Sequence, residues 1–231
     1  MTMANEIISY IEMCQRERVN LQRGMNYRLG NGYSVILMSV RDNAPYRDCF
    51  EDDGSTLIYE GHDIQRRDGI TDPKSIDQPE FNPTGTLTEN GKFHKAAQDY
   101  KQGLRPAEKV RVYEKIRPGI WSYNGVFELV DSGQEYDGKR KVFKFKLIAI
   151  ENDSIGDNSQ MESAVRRRII PTSVKREVWK RDGGRCVICG ATDELHFDHI
   201  IPFSRGGTSL KADNVQLLCA RHNLEKRDRI E

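Results

Sequence analysis

Two short pairs of soft ligands stand out in the sequence: Cys186-x2-Cys189 and, 29 residues further on, Cys219-x2-His222. A pair spaced in this way sits on a tight turn and aims both side chains at one point. Three thiolates and one imidazole give Zn2+ a closed tetrahedral shell, which marks a structural site with no position left for substrate. Between the pairs lies His196-Phe197-Asp198-His199-Ile200-Ile201-Pro202, then the turn Gly206-Gly207, then Asn214, with Asn223 directly after His222. A neutral imidazole is suited to taking a proton from water near pH 7, and carboxylate and amide oxygens are suited to a hard divalent ion. A zinc ribbon that only staples the chain needs none of this second set.

The string RDGGRCVICG, HFDHIIPFSRGG, DNVQLLCARHNLEK, spread over nearly all of residues 166 to 231, resembles the HNH, or ββα-metal, nucleases. The resemblance implies that His199 is the general base and that Asp198 and Asn223 hold Mg2+ or Mn2+ beside the leaving 3′ oxygen. It also implies that Asn214 holds the loop and orients His199. Arg221 and Lys226 are placed to bind flanking phosphates. Asn223 stands where many members carry a third His, and an amide oxygen remains a competent ligand for Mg2+. His196 is an alternative ligand, but it reads more simply as an ordinary strand residue, since Asp198 and His199 already fill both roles.

A second group of motifs lies upstream. FEDD (Phe50 to Asp53) and LIYEG (Leu57 to Gly61), followed by GKFHKAA, WSYNG and VFKFKL, are similar to the SRA (SET and RING associated) domains, which flip a modified cytosine out of DNA. An extruded cytosine needs two flat walls and an acceptor for its exocyclic amine. The resemblance implies Phe50 and Tyr59 as walls and Asp53 as acceptor, with Glu60 near the 5-substituent. Phe50 replaces the usual Tyr, Glu60 replaces a small hydroxyl residue, and His62-Asp63 replaces a glycine pair, so the modification read is left open. By residue type alone, Tyr59 ending an apolar strand is a core aromatic and the Asp cluster a solvated turn. Tyr136-Asp137-Gly138 reads as a turn.

The elements that must position these residues are of mixed type, so the fold class is α+β. A helix is expected over residues 5 to 19, with Ile7, Ile8, Ile11, Cys14 and Val19 on one face. Short strands follow at Tyr33 to Val40, Thr56 to Tyr59, Lys109 to Lys115, Gly125 to Val130 and Lys141 to Ile150, interrupted by a helix over Gly91 to Gln102. They suggest a compact, strongly curved sheet or open barrel, and the resemblance implies an SRA-like or PUA-like β-barrel with flanking helices over residues 1 to 150. The polar stretch 151 to 163 is the expected linker, and residues 164 to 231 form the zinc-stapled module. There the order is a helix over Ser173 to Lys180, a hairpin carrying LHFDHIIP, and a last helix near Ala220 to Arg229.

The 231 residues can bury two small cores. Net charge is +1, yet residues 163 to 231 hold 14 Lys and Arg against 9 Asp and Glu. The positive charge therefore sits with the C-terminal module, densest from Arg166 to Arg185, where it can neutralise phosphates. Five cysteines, an odd number, argue against a disulfide framework, with Cys14 and Cys49 as fillers. No apolar run spans a bilayer and the start lacks the order of a secretion signal, so the expected place is cytoplasmic.

The combined expectation is a restriction endonuclease acting on double-stranded DNA that carries 5-methylcytosine or a relative. Two other readings stay open: a zinc protein that binds nucleic acid without cutting, and a nuclease whose first domain reads another base or RNA. One such site cuts one strand, so a double-strand break needs a homodimer or two binding events.

Overall fold

The computed structural model describes residues 4–40, 44, 46–51, 55–65, 72–150, 169–202 and 205–226. The expected linker, Asp53 and the basic residues 166 to 168 lie outside these. In chain order the elements are β1 (Ile7–Ser9), α1 (Tyr10–Glu17), β2 (Met25–Asn26), β3 (Ser34–Met38), β4 (Cys49–Phe50), β5 (Thr56–Glu60), α2 (Glu89–Lys101), β6 (Glu108–Arg117), β7 (Ile120–Tyr136) and β8 (Lys141–Ile150). The C-terminal part adds α3 (Thr172–Arg181), β9 (Leu195–His199), β10 (Val215–Cys219) and α4 (Ala220–Lys226). None of the described helices is long and apolar enough to cross a membrane.

The large sheet runs β2-β3-β6-β7-β8-β5-β4, with β3 and β6 parallel and the other neighbours antiparallel. Alternating apolar residues along β6, β7 and β8 put Val110, Val112, Phe127, Leu129, Phe143, Phe145 and Leu147 into one core. Helix α2 closes that core with Phe93, Ala96 and Ala97, and its first turn is capped by Thr88, whose hydroxyl accepts from the Gly91 amide at 3.1 Å. Ile169, just before the C-terminal part, also packs there. Tyr136 is exposed at the β7 to β8 turn, and Asp137 accepts from the amides of Lys139 and Arg140, so this segment is the turn read from the sequence.

The expected helix over residues 5 to 19 is corrected: Ile7 to Ser9 form a strand, and the helix begins only at Tyr10. Ser9 accepts from the Glu12 amide and Glu12 accepts from the Ser9 amide, a reciprocal cap that fixes the start. The β-branched Ile7 and Ile8 instead pair with Ser122 and Trp121 of β7. Ile11, assigned to the apolar face, is 68% exposed.

This first strand joins the two halves of the molecule. Strand alternation turns Ile8 into a cluster with Met13, Leu21, Val35, Tyr113 and Tyr123, and turns Ile7 onto the C-terminal clusters around Phe197 and Leu218. The Asn5 amide donates to the Tyr123 carbonyl at 2.7 Å, while the Asn5 carbonyl accepts from the Phe197 amide at 3.0 Å. A bridge between Glu6 and His196 continues the contact, so β1 lies between β7 and β9. Arg176 of α3 adds a bond from Nε to the Ile116 carbonyl at 3.0 Å.

Candidate functional site

The two ligand pairs meet at one end of the β9 to β10 hairpin. Cys186 and Cys189 sit on a turn closed by the Gly190 amide donating to the Cys186 carbonyl, and Cys219 and His222 flank the start of α4. The four ligand atoms lie within 4.8 Å of one another. Both Cys186 Sγ and Cys219 Sγ are 3.3 Å from His222 Nδ1, and Cys189 Sγ is 3.8 Å from Cys219 Sγ. A tetrahedron with metal–sulfur bonds of about 2.3 Å has edges of about 3.8 Å, so the donor set fits zinc in size as well as chemistry. Burial opposes ionisation of Cys186, but neighbouring backbone amides and His222 outweigh it and bring the thiol down to about 6. Arg221 Nη2 lies 3.2 Å from His222 Nε2. An imidazole that ligates through Nδ1 carries its proton on Nε2, so with a metal held there His222 would not accept a hydrogen bond from Arg221.

Asp198, His199 and Asn214 lie at the other end of the same hairpin, while Asn223 directly follows the zinc-cluster residue His222 on α4. Cys219 pairs with Leu195 at the zinc end and Val215 with His199 at the far end, a run of roughly 14 Å along the strand. Leu195 and Phe197 are buried, while Asp198 and His199 are half-buried where the strand ends. His199 Nε2 is 2.9 Å from Ser209 Oγ. Asn214 holds the intervening loop: its Oδ1 accepts from the Ile201 amide at 2.8 Å, and its Nδ2 donates to the carbonyls of Ile201 and Thr208, both at 3.0 Å. The loop packs so closely that a Cβ on Gly207 would fall 1.7 Å from the Ile201 carbonyl oxygen.

Asn214 closes the loop that follows His199. The side chain beside the imidazole is Ser209, which the sequence reading did not single out. Its only signal was its place in GGTS, between the glycine turn and Asn214. Lys226, expected at a phosphate, instead points inward at 1% exposure, with Nζ 2.8 Å from Asp198 Oδ2 and 2.6 Å from the His199 carbonyl oxygen. His196 is 5% exposed on β9, and burial lowers its affinity for a proton.

In the large sheet, Phe50 pairs with Leu57 across β4 and β5, so alternation puts Phe50 and Tyr59 on the same face. Phe50 is half-buried against the main core, 6.5 Å from the Phe127 ring. Tyr59 is 1% exposed, its hydroxyl 2.9 Å from His62 Nε2, and burial raises its pKa well above the usual phenol value. Glu60, the next residue, faces the opposite side, where its carboxylate accepts from the Arg47 amide at 3.1 Å and from Lys144 Nζ at 3.0 Å. Asp53, the expected amine acceptor, lies outside the described residues. Asp48, which the sequence reading passed over, is buried beside Glu60 and accepts from its amide at 3.1 Å. A cavity of about 970 Å³ opens nearby, lined by Tyr46, His62, Asp63, Lys74 and Asn90. In it the Tyr46 and His62 rings stack at 5.0 Å, and Lys74 Nζ lies 4.5 Å from the Tyr46 ring centre.

Among solved structures, the chain is similar to the SUVH5 SRA domain in complex with hemimethylated CG DNA. Identity is 22% over 66% of this chain and 90% of that one, with a TM-score of 0.45. The same domain bound to fully hydroxymethylated CG DNA gives 19%, 66%, 91% and 0.43. SUVH6 of Arabidopsis thaliana in complex with SAM gives 17%, 76%, 29% and 0.43. No curated protein matches the chain. For the C-terminal part a family model does match, and residues 186–229, which contain the Cys3His cluster and the Asp198, His199, Asn214 and Asn223 set, fit that of the HNH endonucleases.

Proposed function

We propose that this protein is a modification-dependent DNA endonuclease, in which residues 1 to 150 hold a modified cytosine extruded from the duplex and residues 164 to 231 hydrolyse a nearby phosphodiester bond. The observation that carries the reading is the division of labour on one hairpin. A closed Cys3His cluster sits at one end, and an Asp198-His199 pair sits at the other, beside a loop tied down by Asn214. A staple alone has no use for the second end. The reader half rests on the FEDD, LIYEG and later motifs, with Phe50 and Tyr59 on one face of the sheet.

In this reading His199 takes a proton from the attacking water, and Ser209 fixes the ring through Nε2. Asp198 and Asn223 hold the divalent ion; a bound Mg2+ or Mn2+ supplies charge stabilisation at the leaving 3′ oxygen. Asn214 keeps the loop closed. Arg221, exposed at the start of α4, offers its guanidinium to a flanking phosphate. Phe50 stacks on the flipped base while Asp53 accepts from its amine, and Tyr59, 1% exposed, belongs to the core against which Phe50 packs.

Matched plasmids with and without 5-methylcytosine or 5-hydroxymethylcytosine test the proposal. Cleavage of the modified plasmid, dependent on Mg2+ or Mn2+ and strongly reduced in His199→Ala, is the expected result. Binding without cutting by the wild-type protein would overturn the nuclease half. Equal cutting of both plasmids would overturn the reader half.

A further inference from the structure

Lys226 is the last described residue of α4, and its ammonium is enclosed between two groups of β9, Asp198 Oδ2 at 2.8 Å and the His199 carbonyl oxygen at 2.6 Å. A buried ammonium that lost both would be left without compensation, so the contact is persistent and is not a resting place for a side chain that serves DNA. Asn223 lies three residues earlier on the same helix, and residues three apart share a helix face. Whatever fixes Lys226 against β9 therefore also sets the height and rotation of Asn223 relative to Asp198. The contact to Asp198 is an ion pair at Oδ2 without hydrogen-bond geometry, while the His199 carbonyl oxygen accepts a hydrogen bond from the ammonium.

We infer that Lys226 is a positioning residue for the divalent-ion site, pinning α4 and its Asn223 to the strand end that carries Asp198 and His199. This rests on the reading of Asp198 and Asn223 as ion ligands. Charge repulsion between the ammonium and the ion acts in the other direction, and the two effects predict opposite signs. Groups that hold a metal ligand in place from behind typically account for about 10- to 100-fold in metal affinity. That sets the size of effect expected from the tether.

Mn2+ titration followed by electron paramagnetic resonance, in the full chain with zinc retained and His199→Ala to prevent turnover, reads this directly. Lys226→Met is expected to weaken Mn2+ binding by about tenfold or more. Lys226→Gln keeps a donor for the His199 carbonyl, so it should lose less. Zinc content and the far-ultraviolet spectrum check that each variant is folded, and Lys226→Gln alone carries the test if Lys226→Met is not. Tighter Mn2+ binding in both variants would mean that Lys226 only competes with the ion, and the inference would be wrong. Unchanged Mn2+ affinity with weaker DNA binding and a shallower salt dependence would return Lys226 to a phosphate contact. If Asp198→Ala and Asn223→Ala also leave Mn2+ binding unchanged, the ligand assignment fails and the inference falls with it. If those two abolish binding while the Lys226 variants keep it, only the inference falls.

Discussion

Lys175 Nζ lies 2.8 Å from Glu114 Oε2, and neither side chain is exposed to solvent. Glu114 belongs to β6 of the large sheet and Lys175 to α3 of the C-terminal part, so this buried ion pair crosses from one half of the molecule to the other. Asn124 completes it, accepting from Lys175 at 2.6 Å and donating to Glu114 at 3.0 Å, and the Thr172 hydroxyl donates to the other carboxylate oxygen. Burial alone would raise the Glu114 pKa, but Lys175, Thr172 and Asn124 outweigh it and hold the carboxyl below its ordinary value.

Removing one member leaves the other buried and uncompensated. Lys175→Met is expected to cost about 3–5 kcal/mol in unfolding free energy, and the double variant Lys175→Met/Glu114→Gln clearly less, because the stranded carboxylate is gone. Urea titration of the three proteins measures this. Equal losses in the single and double variants would mean that packing, not charge, holds the two halves together.

Most of the strands were legible because period-2 alternation is strong in Lys109 to Lys115 and Lys141 to Ile150, and the observed elements extend these only slightly. The start of the chain was not, because Ile7, Ile8 and Ile11 match a helical period as well as a strand, and only the partner β7 decides between them. The Cys3His cluster and the HNH match were legible because their residues are closely spaced around one hairpin. The inward turn of Lys226 and the Ser209 contact depend on where α4 and the loop pack, which no local pattern encodes. The same is true of Glu60, whose face is set by pairing with β8 and by Lys144.

Purified protein should hold one tightly bound zinc. Cys186→Ala or Cys219→Ala should lose it and unfold the hairpin, since the core around Leu195 and Leu218 is small and the cysteines are part of it. The large sheet, with its own core, should keep its secondary structure. Metal analysis and far-ultraviolet spectra report both. Active protein free of zinc would contradict the assignment.

His199→Ala should lower the cleavage rate by about 10²- to 10⁴-fold without loss of zinc or DNA binding, the usual contribution of a general base. Ser209→Ala removes a hydrogen bond to the ring and leaves the imidazole itself in place. A net bond of about 0.5–1.5 kcal/mol corresponds to a loss of roughly two- to tenfold. Single-turnover rates at saturating enzyme separate the two, and a Ser209→Ala variant as inactive as His199→Ala would show that Ser209 does more than orient.

Asp48 gives the large sheet a pH dependence of known sign. Burial is the main cause that raises its carboxyl, and with the Glu60 charge it outweighs the backbone amides and Lys144, so the pKa stands at about 7 instead of the ordinary 3.8. Between these values the folded protein keeps a proton that the unfolded chain has released. Stability from this group is therefore present at acid pH, falls as pH rises through the window and levels off above it. Burial lowers His62 to about 4 and works in the opposite direction over a similar range. Comparing wild type with Asp48→Asn cancels that effect. The variant should gain roughly 2–4 kcal/mol relative to wild type on going from pH 4 to pH 8. A difference in melting temperature that does not change with pH would remove Asp48 from the account.

Selectivity for the modified base should reside in the large sheet and be separable from the chemistry. On the proposed reading, Asp53→Ala removes the acceptor for the cytosine amine, and Phe50→Ala removes a stacking wall that is half-buried and packs against the core. Loss of stacking is expected to cost about 1–3 kcal/mol in binding, by analogy with aromatic platforms for single-stranded bases. Both variants should lose the preference for modified duplexes yet still nick DNA weakly at low salt, since His199 and the exposed Lys180 and Arg181 of α3 are untouched. Tyr59→Ala is the less informative change, because a ring at 1% exposure is needed for folding whatever else it does. Glu60→Gln separates the two faces of β5. Its carboxylate is committed to Lys144 and Arg47 on the side away from Tyr59, so it should alter stability and leave base preference unchanged. Binding of each variant to modified and unmodified duplexes, alongside its melting temperature, decides the matter. Should Asp53→Ala keep the wild-type preference at unchanged stability while Glu60→Gln loses it, the base is read from the opposite face of the sheet.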